Sequence, residues 1–130
     1  MQLAHPHSGC SIVHEGRYIR ANVGDGRHDE ILECYETLVV LALRQKFTRV
    51  LIIGTGSGDA LSHLAARDAV IALAKFGVAA GFRIAFVALT NETLNGYRHA
   101  EIAATERGIR ARVFDREAEA MRWITEPDQH

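Results

Sequence analysis

Arg49-Val50-Leu51-Ile52-Ile53-Gly54-Thr55-Gly56-Ser57-Gly58-Asp59 is the stretch on which the reading of this chain turns. It opens as a short apolar β-branched run, the pattern of a central strand covered on both faces. Three alternating glycines follow at once, and a helical pattern begins at Asp59. Glycines let a backbone turn sharply and approach a ligand closely. A helix starting behind them aims unpaired N–H groups at any anion there. The same residues also make a tight strand-to-helix turn that binds nothing.

Downstream, residues 59–80 carry a helical pattern with Leu61, Leu64, Ala65, Ala72 and Ala79 among its apolar positions, stopping near Gly81. Phe82 to Leu89 is a second buried strand. Thr90 or Asn91 can cap the next helix, which runs to about Arg107 and stops at Gly108. Ala111 to Phe114 is the last strand. Asp115 can cap a final helix carrying Ala118, Met121 and Ile124, with Trp123 closing the sheet edge.

Upstream, a helix is predicted over residues 29–46, with Ile31, Tyr35, Leu38 and Ala42 on one face. Asp29, Glu30 and Glu33 in its first turns, and Arg44 and Lys46 in its last, suit the helix dipole. Before it, Ser11 to Val13 and Tyr18 to Val23 flank a hairpin turn at Glu15-Gly16. Tyr18, Arg20 and Asn22 alternate with Ile19, Ala21 and Val23, which buries one face of that strand.

The expected order is ββαβαβαβα, a single α/β domain over residues 10–125. Residues 1–9 read as a flexible N-terminal tail and 126–130 as a C-terminal tail. Strand–helix–strand crossovers require parallel pairing among the later strands, and the hairpin makes the sheet mixed.

A chain of 130 residues suits one core. The net charge of −1 gives no footprint for nucleic acid, and the scattered basic residues give none for a membrane surface. The N-terminus lacks the pattern of a signal peptide, and Leu38 to Leu43 is too short an apolar run to span a bilayer. Cys10 and Cys34 could form one disulfide, but with no other sign of secretion the reading favours free thiols and a cytoplasmic protein.

The glycine loop fits nucleotide motifs poorly. A Walker loop needs a lysine after its last glycine, where Asp59 stands. A dinucleotide fingerprint started at Gly54 or Gly56 finds Asp59 or Leu61 in place of its third glycine. Gly54, Gly56 and Gly58 do satisfy the GxGxG of class I methyltransferases. An S-adenosylmethionine-dependent enzyme is therefore an alternative, although the strand from Phe82 ends in Thr90 rather than in an acidic residue, and Glu92 already lies in the next helix.

Ser57 lacks the outer positions of a nucleophile elbow, and Ser57 and Ser62 read more simply as hydroxyls at a helix start. The histidines include an HxH at His5 and His7, with His14, His28, His63 and His99 dispersed, and show no metal-ligand spacing. Asp68 lies near the apolar stripe of its helix, where a partly buried carboxylate could be functional or could equally pair with a nearby arginine. Tyr97 and Phe114 read as core or rim aromatics. No catalytic residue, metal or cofactor is expected.

Further residues carry a family likeness. Gly81-Phe82-Arg83-Ile84-Ala85-Phe86-Val87 is followed by Arg107-Gly108-Ile109. Then comes Arg112-Val113-Phe114-Asp115-Arg116-Glu117-Ala118-Glu119-Ala120-Met121-Arg122-Trp123-Ile124. Together with the Glu15-Gly16-Arg17-Tyr18-Ile19 hairpin and Val50-Leu51-Ile52-Ile53, this resembles the SpoIIAA-like branch of the STAS superfamily, the anti-sigma-factor antagonists. The resemblance implies a non-enzymatic STAS-like domain, a mixed sheet with helices mainly on one face, that regulates by binding. Its partners would be a kinase-like anti-sigma protein or a small or lipidic ligand. The family's phosphorylated serine, in an Asp-Ser-Ser/Thr-Gly motif, finds its nearest match in Ser57-Gly58, with Gly56 before it. The expected contact surface is Thr55, Gly56, Ser57, Gly58, Asp59 and Ser62, with Ser57 as the phosphorylation candidate. A structural homodimer through apolar helix faces is a further alternative.

Overall fold

The computed structural model describes residues 2–4, 10–24, 28–55, 60–75 and 82–127. Three strands come first: β1 (Gln2–Ala4), β2 (Ser11–His14) and β3 (Ile19–Val23). Helices and strands then alternate: α1 (His28–Gln45), β4 (Arg49–Gly54), α2 (Ala60–Lys75), β5 (Arg83–Ala88), α3 (Asn91–Glu106), β6 (Arg110–Phe114) and α4 (Glu117–Thr125). The strands form one mixed sheet in sequence order, β1 to β6. β1, β2 and β3 pair antiparallel, and β3 to β6 pair parallel.

The alternation expected in β3 is present from Ile19 to Val23, with Ile19, Ala21 and Val23 buried and Arg20 and Asn22 half-buried; Tyr18, expected opposite the buried face, is itself buried in the core on the other side of the sheet. The hairpin between β2 and β3 turns at Gly16, whose φ of 84° favours glycine, and the Glu15 N–H donates to the Tyr18 carbonyl at 2.9 Å. β4 is buried from Val50 to Gly54, as a strand with helices on both sides must be.

Each parallel step from β3 to β6 moves one strand in the same direction. Right-handed crossovers taken repeatedly in one direction stack their helices on one face. α1, α2 and α3 accordingly bury Ile31, Tyr35, Leu38, Val70, Leu73 and Ala100 against Ile19, Ile52, Ile84 and Phe86. The expected apolar face of α1 is the buried one. α4 lies on the other face, where Ala120 and Ile124 pack on Leu51, Ile53, Val87 and Phe114.

Two arginines anchor α4. The register places Arg49 beside Arg83 at the starts of β4 and β5. Arg83, only 2% exposed, donates from Nη1 to the carbonyls of Trp123 and Glu126, both at 2.8 Å. Arg49 donates to the Ile124 carbonyl at 3.0 Å. These carbonyls lie at the C-terminal end of a helix, where backbone acceptors lack partners and positive charge is favoured. The Arg83 guanidinium also lies 5.4 Å from the centre of the Trp123 ring.

Several expectations are corrected. Part of the presumed N-terminal tail is strand β1, which pairs with β2 through Leu3↔Ile12; residues 1 and 5–9 lie outside the described residues. Three residues are too few to show a period, so the strand left no signal. The buried side of α2 includes Ala66, Ala69, Val70 and Leu73, while Ala72 is half-buried. This helix is apolar on most sides, so its periodicity selects no single face. Ala79 and the stop near Gly81 lie outside the described residues, as do the side chains of Leu61, Leu64 and Ala65. Asp115 does not cap α4, whose N-cap is Arg116 with no side-chain hydrogen bond. Ala118 and Met121 are exposed, and Ala120 replaces them beside Ile124 in the core.

The expectation of free thiols is also overturned. Cys10 and Cys34 are joined as a disulfide across a sequence separation of 24, tying the entry to β2 to the second turn of α1. Both cysteines are buried in the main core. Spacing alone could not decide this pairing, because it depends on α1 folding back over β2. No described helix is long and apolar enough to cross a membrane.

Closing a loop of this length restricts the unfolded chain and stabilises the fold by about 3 kcal/mol. The variant Cys10→Ser/Cys34→Ser should lose about that much in urea unfolding, and reductant should weaken the wild type but leave the variant unchanged.

Candidate functional site

The carboxyl ends of parallel strands form the rim where α/β folds commonly hold ligands. Here that rim is built by the ends of β3, β4 and β5 and the starts of the helices that follow. Gly54 is its pivot. A Cβ placed on Gly54 would lie 2.7 Å from Thr93 Cγ2 and 2.8 Å from the Tyr97 hydroxyl oxygen. Glycine is therefore required here by the approach of α3, whatever the loop binds. Thr93 and Tyr97 are one helical turn apart, so they present the same face to the strand.

The Tyr97 hydroxyl also meets the Tyr35 hydroxyl of α1 at 3.2 Å, and its ring stacks tilted on Phe86 of β5 at 4.9 Å. Tyr97 thus joins α1, α3, β4 and β5 just under the rim. Both tyrosines are fully enclosed. Burial, the largest cause, pushes the Tyr97 phenol up to about 12 and the Tyr35 phenol well above its ordinary value of 10.0. Both are neutral at physiological pH.

Above this pair, the Thr55 N–H donates to the Val23 carbonyl at 2.8 Å, and its hydroxyl reaches the same oxygen at 3.4 Å. This extends the β3–β4 pairing by one step and fixes where the loop leaves the sheet. Thr55 is exposed. The register Gly54↔Ala88 sets it next to Leu89, which is 55% exposed. At the end of β5, Thr90 caps α3 by accepting from the Thr93 N–H at 3.2 Å, and its hydroxyl donates to the Thr93 hydroxyl at 2.9 Å. Of the two cap candidates, Thr90 holds the position.

Thr55 is therefore the one expected contact residue whose surroundings are seen. Gly56, Ser57, Gly58 and Asp59 lie outside the described residues, and Ser62 falls in the first turn of α2 with its side chain outside them. Among the other candidates, Asp68 pairs with its neighbour Arg67 at 3.3 Å on a half-exposed surface. His14 packs against the Phe47 ring at 5.3 Å, and His99 is exposed. His5, His7 and the side chains of His28 and His63 lie outside the described residues. Among the described residues no group of three His, Cys, Asp or Glu side chains could hold a metal. Glu92 lies exposed in the first turn of α3 rather than at the end of β5.

Between α1, α2 and the sheet lies an apolar cavity of about 30 Å³, lined by Tyr35, Leu38, Ala69, Leu73 and Phe86 among others. That volume holds roughly one or two water molecules, not an acyl chain.

Sequence reading placed Tyr97 among ordinary aromatics and missed Tyr35 and Thr93 as its partners. The available signal was the glycine that ends β4 together with the four-residue spacing of Thr93 and Tyr97. Compared with known proteins, the chain matches no family model, no curated sequence and no solved structure.

The close approach at Gly54 makes a specific prediction. Gly54→Ala should destabilise the protein by about 1–3 kcal/mol, the usual range for overpacking a core. In the background Thr93→Ser/Tyr35→Phe/Tyr97→Phe, which removes the two nearest atoms and leaves no phenol unpaired, the same glycine substitution should cost clearly less than it does in the wild type. Thermal or urea unfolding with and without Gly54→Ala in each background reads the difference.

The tyrosine pair makes another. A phenol whose pKa is raised by folding stabilises the native state fully below its unfolded value near 10, and that stability is lost as the pH rises through the folded value. Unfolding free energy should therefore fall between pH 10 and about 12. Tyr35→Phe/Tyr97→Phe should flatten that fall, measured by urea titration with ultraviolet detection of phenolate.

Proposed function

We propose that this chain is a regulatory binding domain of the anti-sigma-factor-antagonist kind, a STAS-like module that works through a protein partner at the rim around the β4–α2 loop. The observation that carries the reading is the sequential β3–β4–β5–β6 sheet with α1, α2 and α3 on one face. A mixed sheet with helices mainly on one face is what the family resemblance implies. β4, which the loop follows in sequence, ends on the rim between the ends of β3 and β5.

The chemistry of the rim supports recognition of a partner. Gly54 is locked from beneath, Thr55 is held to β3, and an exposed leucine, Leu89, stands beside it. A fixed polar edge with an apolar neighbour is the mixture that protein contacts use. Ser57 is the switch residue in this proposal. A phosphoryl group there would add about −1.5 to −2 charge next to a helix start and would repel an acidic partner. A cytoplasmic setting belongs to the proposal through the regulatory reading alone. The bonded Cys10–Cys34 pair is a kind of link that persists mainly in oxidising compartments.

The test has two arms. Mass spectrometry of the protein isolated from its own cells should find a phosphoryl group on Ser57. A partner captured by the wild type should be bound at least about tenfold more weakly by Ser57→Glu, the scale expected for one like-charge contact. Equal binding of both proteins, with Ser57 unmodified, contradicts the proposal. Heat released on titration with S-adenosylmethionine would instead favour the methyltransferase alternative.

A further inference from the structure

β6 lies at one end of the sheet, and no described strand lies beyond it. The Arg110 N–H donates to the Phe82 carbonyl at 3.3 Å, so Arg110, Arg112 and Phe114 turn their backbone groups toward β5. In a parallel strand the groups of successive residues point to opposite sides. Ala111 and Val113 therefore point their N–H and carbonyl groups away from the sheet. A row of that kind is a template for another strand.

One of these groups is occupied from within the chain. Glu101 of α3 reaches over the edge, and its carboxylate accepts from the Val113 N–H at 2.9 Å. A carboxylate accepting from a backbone N–H makes one of the stronger hydrogen bonds available to a protein. The side chains of β6 add a second obstacle. In a two-fold antiparallel pairing through Ala111 and Val113, the Arg112 of one copy falls opposite the Arg112 of the other. Arg112 is exposed and lies over the Phe114 ring, 5.2 Å from its centre. Like charges directly opposite each other in a sheet are destabilising.

We propose that Glu101 and Arg112 together keep the β6 edge closed to a second copy of this chain. Glu101 takes the N–H that the first edge-to-edge hydrogen bond would need, and Arg112 repels its own counterpart. This is independent of the regulatory reading, since neither Glu101 nor Arg112 belongs to the contact surface proposed there.

Sedimentation velocity over a wide range of concentration tests it. The variant Glu101→Ala/Arg112→Thr should associate to a mass that rises with concentration, while the wild type should not associate through this edge. Adding Ala111→Pro removes an outward N–H without touching the β5 ladder, so it should reverse the association. In Glu101→Ala alone, exchange of the Val113 amide should accelerate by about tenfold, with the Phe114 amide unchanged. Glu101→Gln keeps an accepting oxygen and should retain most of the protection, which separates lost capping from lost folding. An unchanged mass in the double variant, association that survives Ala111→Pro, or an unchanged Val113 amide in Glu101→Ala overturns the proposal.

Discussion

The contact between Gly54 and the pair Thr93 and Tyr97 is the constraint on which the rest of this structure hangs. It brings α3 so close to the end of β4 that no side chain fits between them. Because the Tyr97 hydroxyl meets Tyr35 and its ring meets Phe86, the same contact sets α1 and β5 relative to β4. A buried pair of phenols is costly unless its polar atoms meet, and here they meet each other. The position of the rim, and of Thr55 on it, follows from this one close approach.

The opposite face solves a different problem. α4 is a short helix, and Ala120 and Ile124 are the side chains it buries fully. Arg49 and Arg83 compensate by donating to the carbonyls at its end, and Trp123 lies over the Arg83 guanidinium. Burial of Arg83 is tolerable because its charge answers the partial negative charge of the helix terminus. With three helices on one face and α4 held on the other, the central strands are covered on both sides. The carboxyl ends of the strands are left as the place for contact.

Much of this was legible in the residues. The apolar run at Val50 to Ile53, the Ile19 to Val23 alternation and the Ile31, Tyr35, Leu38 and Ala42 stripe each lie as read; Tyr18, read as opposite the buried face, is buried because the sheet is covered on that side too. The mixed sheet followed from the crossovers. Where a signal needs length or contrast, the sequence was silent or misleading. β1 has three residues, α2 is apolar on most sides, and α4 is so short that Ala118, Met121 and Ile124 looked as good a face as Ala120 and Ile124. The disulfide and the tyrosine pair are contacts between distant elements, and no local pattern encodes them. Of the candidate site, the glycines were conspicuous, but the reason for Gly54 lay in Thr93 and Tyr97, which local sequence could not connect to it.

The central claim is that α3 packs directly against the backbone of Gly54. A nuclear Overhauser experiment on isotope-labelled protein tests it most directly. Strong cross-peaks are predicted from the Gly54 α protons to the Thr93 methyl group and to the Tyr97 ring protons next to the hydroxyl. Their absence, with both residues assigned and the sheet amides protected, would contradict it.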